Sequence, residues 1–261
     1  MRPDDVIDDF DGDGLDAAVW LPHYLPHWST RETSAATFDV RDSVLRLTIP
    51  VDQEVWCEGV HDPALRVSAI QSGELSGPAG STLGQQPFLP GQLVVQQQPE
   101  LRGWLPEGGR IEVRARMDLS LRSMASVWMV GFEEAPEQSG EICLFEIFGD
   151  SVSSDGTMVH VGSGIHPFRD PRLTDDFAAI GRTIDTGTWH VFAADWHDDH
   201  VAFSVDGELL RAVEQSPRYP LQMVIGVFDF PDRDGPEGHE PWLEVDWVRG
   251  PSGRYKVSGS A

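Results

Sequence analysis

Apolar and polar residues alternate with a period of two in several short runs of the chain: Val44-Leu-Arg-Leu-Thr-Ile49, Arg110-Ile-Glu-Val-Arg-Ala-Arg116, Val201-Ala-Phe-Ser-Val205 and Leu243-Glu-Val-Asp-Trp-Val248. Alternation of this kind turns every second side chain toward a core and the rest toward solvent, as in half-buried antiparallel strands. Gly, Pro, Asp or Ser bounds each run, and Asp206-Gly207 supplies a turn after the third. Helical periodicity is scarce. The pattern predicts an all-β chain folded as a two-sheet antiparallel sandwich. Repeats, low-complexity linkers and breaks in composition are absent from the sequence, so residues 1–261 are expected to form one domain with loosely held ends. The stretch from Pro50 to about Gly109 is rich in Gly, Gln and Pro and only partly strand-like, so it is expected to supply loops over one face.

One run breaks its own phase. In Gly140-Glu-Ile-Cys-Leu-Phe-Glu-Ile-Phe-Gly149, Glu141 and Cys143 share a face and Ile142 and Leu144 the other, but Glu146 falls on the wrong side of a regular strand. A bulge near Leu144 or Phe145 restores the pattern, with Glu141, Cys143, Glu146 and Phe148 facing one way and Ile142, Leu144 and Ile147 facing the core. Two carboxylates on an otherwise apolar strand are costly to bury, so that face is expected to open on a cleft; an edge strand with solvated glutamates is the plainer alternative.

Charge and composition narrow the function classes. The chain carries 19 Lys and Arg against 43 Asp and Glu, a formal charge of -24, which repels nucleic acid and anionic lipid. No apolar run approaches the ~18 residues of a membrane helix, so no membrane partner is expected. Two cysteines cannot form a disulfide framework, and whether Cys57 pairs with Cys143 is left open. Met1-Arg-Pro-Asp-Asp-Val lacks the apolar stretch of a secretion signal; the chain as written is expected to be cytoplasmic, or secreted if a leader has been removed. Phosphate loops, dinucleotide fingerprints and Gly-x-Ser-x-Gly elbows are absent.

Ser126-Val-Trp-Met-Val-Gly131, an acidic loop, and then Gly140-Glu-Ile-Cys-Leu-Phe-Glu146 resemble the catalytic strand region of glycoside hydrolase family 16, the laminarinase and lichenase group, whose pattern is Glu-x-Asp-x-x-Glu. Asp9-Phe-Asp-Gly12, Gly109-Arg-Ile-Glu-Val-Arg114, Trp189-His-Val-Phe-Ala-Ala-Asp-Trp196, Phe203-Ser-Val-Asp-Gly207 and Val245-Asp-Trp-Val248 follow in the family's order. The resemblance implies a concanavalin-like β-jelly roll with a carbohydrate cleft on its concave sheet. It also implies a retaining endo-glycoside hydrolase, here expected to act on a β-1,3 or mixed β-1,3/1,4 glucan as a monomer. Glu141 corresponds to the nucleophile and Glu146 to the general acid/base. The chemistry suits two carboxyls about 5 to 5.5 Å apart on one rigid strand, where mutual repulsion raises one pKa.

Cys143 stands where the family pattern has aspartate. A thiol is a weak donor and largely uncharged near its reference pKa of ~8.5, so it is expected to detune the pair without acting as a nucleophile. The rival from another class is a lectin-like carbohydrate-binding protein that kept the sandwich and lost efficient catalysis.

Trp128 matches the family tryptophan beneath the sugar next to the scissile bond, and His166, ending Ser163-Gly-Ile-His166, matches a histidine on the leaving-group side. Trp20-Leu-Pro-His-Tyr-Leu-Pro-His-Trp28 concentrates aromatic faces suited either to sugar C–H surfaces or to packing beneath the sandwich edge; its prolines exclude a helical zinc pair. Trp28 in this run, and Trp56 and Trp104 in the long loop region, are candidate cleft residues. No cofactor is expected to be required for catalysis. A structural calcium is implied by the resemblance alone, with Asp9 and Asp246 as the matching acidic residues; Asp9-Phe-Asp-Gly-Asp-Gly-Leu-Asp16 lacks the closing Glu of an EF-hand, since Trp20 stands there.

Overall fold

The computed structural model describes residues 6–236 and 238–251. The opening residues 1–5, on which the expectation about a leader rests, lie outside them. The strands are β1 (Val6–Asp8), β2 (Thr37–Arg41), β3 (Val44–Thr48), β4 (Arg66–Gln71), β5 (Gly73–Glu74), β6 (Leu101–Arg102), β7 (Gly109–Asp118) and β8 (Ser123–Gly131). They continue with β9 (Glu141–Phe148), β10 (Val159–His166), β11 (Asp176–Arg182), β12 (His190–Trp196), β13 (Val201–Val205), β14 (Glu208–Val213), β15 (Leu221–Asp229) and β16 (Trp242–Arg249). One antiparallel sheet runs β14-β13-β12-β7-β16-β3-β2, with β1 on β16; the other runs β11-β10-β9-β8-β15-β4. The chain is a two-sheet antiparallel sandwich, as the alternation predicts, and has the β-jelly-roll form that the resemblance implies.

The alternating runs lie in the first sheet because only one of its faces is covered. On β7, Ile111, Val113, Ala115 and Met117 are buried, while Arg110, Arg114 and Arg116 point outward to Asp195, Asp246 and Glu244. The six-stranded sheet is different: β8 and β15 are buried at every position, so both faces are covered and the period-two signature vanishes into apolar runs. Between the sheets, Ile142, Leu144, Phe145 and Ile147 of β9 enter the main core, where the Phe145 and Phe192 rings lie 4.2 Å apart.

A second apolar cluster occupies the other side of the six-stranded sheet and includes Trp28, Trp56, Leu65, Trp128, Cys143 and Phe228. The segment from Pro50 to Gly109 covers this face as expected, but it also contains β4, a sheet strand that the loop expectation did not include. At the hairpin between β13 and β14, Asp206 and Gly207 both adopt positive φ, 51° and 80°, the conformation a two-residue turn with right-handed twist demands.

Candidate active site

The phase break in β9 is a bulge at Leu144. Val127 of β8 pairs with Phe145 and the next residue, Trp128, pairs with Cys143, so Leu144 is the extra residue. On the other side, Gly162 of β10 pairs with Glu146, Gly164 with Cys143 and His166 with Glu141. Directly paired residues share a face, so Glu141, Cys143 and Glu146 all point away from the main core, together with Trp128 and His166. The two β10 glycines are required there: a Cβ on Gly162 would meet the Phe177 ring at 2.5 Å, and one on Gly164 would meet the Asp176 carbonyl at 2.2 Å.

Glu141, Glu146, Ser126, Trp128 and Tyr24 line a cavity of about 230 Å³. A larger one, about 590 Å³, adjoins it at Gln86 and is walled by Phe88, Leu89, Phe168, Glu133 and Arg169. Gln86 is the residue common to the linings of the two cavities. Glu141 is 8% exposed, and its carboxyl is pushed up to about 8, first by burial and then by the charge of Glu146, with the Gln86 amide acting in the opposite sense. Glu146 is also raised by burial, while His166 and Arg233 pull it down. Burial and the charge of Glu146 together favour the protonated form of Glu141.

Cys143 is a free thiol, 2% exposed, covered beneath the cleft face it shares with the glutamates. Burial, followed by the charges of Glu141 and Glu146, raises it well above the usual thiol value, so it stays protonated. Cys57 is free as well, its Sγ directed at the Trp28 carbonyl at 3.1 Å, and the two cysteines do not pair.

The other sequence candidates separate into two groups. Trp128 forms part of the cavity wall, its ring 5.7 Å from that of Phe228 and its indole N–H donating to Gln86 Oε1 at 3.4 Å. His166 shares the face of the glutamates but lines neither cavity; it is stacked on Phe177 at 4.9 Å and bonded through Nδ1 to Asp175 at 2.6 Å. Trp56 and Trp28 lie behind the wall. Trp56 packs edge-on to Tyr24, and Trp28 is buried with its indole donating to the Gln85 carbonyl at 2.7 Å. Trp104 belongs to the inter-sheet core and donates to the Pro251 carbonyl at 2.9 Å, so it does not line the cleft. Its neighbourhood in sequence is loop, but its side chain is the large apolar group available to close that end of the sandwich.

The acidic pair expected to hold calcium does not fit the ion. Asp246, the extra residue where β16 shifts register against β7, is engaged by the Arg114 guanidinium, a cation where a bound metal would have to stand. Asp9 is exposed, and no group of three or more His, Cys, Asp and Glu gathers to hold a metal among the described residues.

Gln86, Tyr24 and Phe228 are among the cleft residues that were not singled out from the sequence. Tyr24 lay within the aromatic run already noted. Gln86, in Gly84-Gln-Gln-Pro87, carries no signal that separates it from any polar loop.

The family model for glycosyl hydrolases family 16 matches residues 108–249, more than half of the chain and all of the strands that carry Trp128, Glu141, Glu146 and His166. No curated protein matches the sequence. Among solved structures, a GlcNAcα1-4Gal releasing endo-β-galactosidase from Clostridium perfringens superposes with a TM-score of 0.76 at 23% identity, covering 100% of this chain and 65% of the clostridial one. The chain therefore spans just under two thirds of that protein's length. The catalytic domain of an endo-1,3-β-glucanase (laminarinase) from Thermotoga petrophila gives 0.61 at 15% identity, over 92% of this chain and 94% of that one. An endo-acting O-glycanase structure from the human gut microbiota gives 0.61 at 19% identity, over 95% and 98%. With the motif strand, its bulge and the two-sheet architecture all in place, the chain belongs to family 16 of the glycosyl hydrolases.

Proposed function

We propose that the protein is a retaining endo-glycoside hydrolase acting on a β-glucan, with Glu141 as nucleophile and Glu146 as general acid/base. The observation that carries this reading is the Leu144 bulge, which brings both carboxyls to one face of one strand inside a cavity walled by Trp128. In the first step Glu146 gives its proton to the glycosidic oxygen as an oxygen of Glu141 bonds to the anomeric carbon and the bond to the leaving sugar breaks. In the second, water attacks that carbon, passes a proton to Glu146 and releases Glu141, so the pair ends with the one proton it began with. Two inversions at the anomeric carbon leave the β configuration. The second cavity, walled by Phe88 and Phe168 and meeting the first at Gln86, offers room for further sugars beside the reacting one, which supports internal cleavage.

A galactose-containing chain is the second reading, favoured by the higher TM-score of the clostridial endo-β-galactosidase over the laminarinase, 0.76 against 0.61. The test is release of reducing ends from laminarin, lichenan, xyloglucan, agarose and mucin glycans, with Glu141→Gln as control. Release from laminarin or lichenan, abolished in the variant, is the expected result. Release from agarose or mucin glycans alone transfers the assignment to the galactoside. If the protein binds one of these polymers and cleaves none, it is a carbohydrate-binding protein and the catalytic reading fails.

A further inference from the structure

The geometry points to Gln86 as the positioning residue of Glu141: from a loop, its side-chain amide supplies the hydrogen bond that the motif's own central position cannot give when it is cysteine. This rests on Glu141 being the nucleophile.

Gln86 Nε2 donates to Glu141 Oε2 at 3.1 Å. The orientation of the amide is set from outside, because the Trp128 indole N–H is a donor only and meets Gln86 Oε1, leaving the NH2 group for the carboxylate. Cys143 shares the cleft face but offers only a weak thiol donor. An amide differs from an aspartate in adding no charge: it favours the ionised form of Glu141 without a third carboxylate in a buried site.

The loop that delivers Gln86 is built for precision. Gln86 itself has a left-handed backbone, φ 46°, a conformation that a residue with a side chain holds only when its surroundings impose it. Its backbone N–H donates to Glu133 Oε1 at 2.9 Å. Gln85, fully buried, accepts from the Leu75 N–H at 2.9 Å and donates to the Phe132 carbonyl at 2.8 Å. Its own carbonyl receives the Trp28 indole and lies 3.0 Å from His27 Nε2, while His27 Nδ1 meets the buried Glu74 at 2.8 Å. A glutamine on an exposed loop would not justify this fully bonded buried anchor; one that must hold a carboxylate in register does.

Without the amide, both burial and the charge of Glu146 favour leaving the shared proton on Glu141, where it blocks attack. With it, that preference is reduced, while Glu141 stays raised to about 8.

The test compares the native protein with Gln86→Leu and with the near-isosteric Gln86→Glu, each in the Cys143 and Cys143→Asp backgrounds. The first measurement is carbon NMR titration of labelled glutamate carboxyls, which needs no turnover. Loss of the amide is expected to move the Glu141 midpoint upward by roughly one pH unit, the scale of one hydrogen bond to a charged group. The second is kinetics on the best polymer of the substrate panel. Gln86→Leu is expected to lower kcat by about 10- to 100-fold with KM nearly unchanged and to shift the acidic limb of the pH profile upward, and Cys143→Asp is expected to restore much of the loss. A Glu141 midpoint that does not move in either Gln86 variant overturns the proposal. So does equal loss of kcat with and without Cys143→Asp. If the midpoint moves but Glu141→Gln keeps native activity, the nucleophile assignment fails instead, and the two failures are distinguishable.

Discussion

Glu141 and Glu146 stand five positions apart on β9 and still face the same way, which a regular strand forbids and the Leu144 bulge permits. The bulge is matched on both flanks: β8 and β10 each shift register at the same place, so the displacement is locked between two neighbouring strands. The chemistry of the pair follows from that displacement.

If Glu146 is the acid/base and Glu141 the nucleophile, the two alanine variants should differ in stereochemistry and not only in rate. With a dinitrophenyl β-oligoglucoside, whose leaving group needs no acid, Glu146→Ala should still form the intermediate on Glu141, and added azide should yield the β-glycosyl azide. Glu141→Ala should yield the α-azide by single displacement. Product NMR decides; the opposite assignment of the two anomers would exchange the roles.

Glu141 is held above its ordinary value, from 4.5 to about 8, so the folded protein keeps a proton there that the unfolded chain releases near 4.5. Folding thus takes up a proton between those values, and this group's contribution to stability falls as pH rises through that window. Glu141→Gln removes the cost of burying the charge. Its thermal midpoint should exceed that of the native protein by about 2–4 °C or more at pH 9, with the gain shrinking toward pH 5. A constant difference across the range would mean that another group controls the slope.

Both thiols are buried, and burial pushes Cys57 up to about 12 and Cys143 well above its ordinary value. Neither should react with iodoacetamide or a disulfide reagent at pH 7.5 in the native state, and two should react after denaturation. Activity should be insensitive to reductant. One fast-reacting thiol in the native protein, with loss of activity, would show that Cys143 is accessible and chemically engaged.

Asp229, 2% exposed, closes β15 at the Glu146 end of the cleft and accepts from Arg122 Nε at 2.7 Å, Arg122 Nη2 at 2.8 Å and Arg66 Nε at 2.9 Å. Asp229→Ala leaves two largely buried guanidiniums without that carboxylate and should cost about 3–5 kcal/mol in denaturant unfolding, with Asp229→Asn losing less. Loss below about 1 kcal/mol would show that the arginines find water or other partners.

The sequence by itself determined the fold class and the strand on which the two glutamates share a face. Strands with one more open face, such as β3, β7 and β16, announce themselves by alternation, and the phase slip between Cys143 and Glu146 is visible because a carboxylate cannot sit in the core at Ile142's side without a partner. β4 was not legible, since it is buried on both faces nearly throughout and lies among loop residues. Only the tertiary structure decided which tryptophans reach the cleft. Trp128 and Trp104 are alike as residues, but one is paired beside Cys143 on the outward face and the other closes the end of the sandwich. Gln86 was out of reach for the same reason. Its contact with Glu141 joins a loop to a strand 55 positions away, and no local period records a bond whose geometry depends on how a distant segment is anchored.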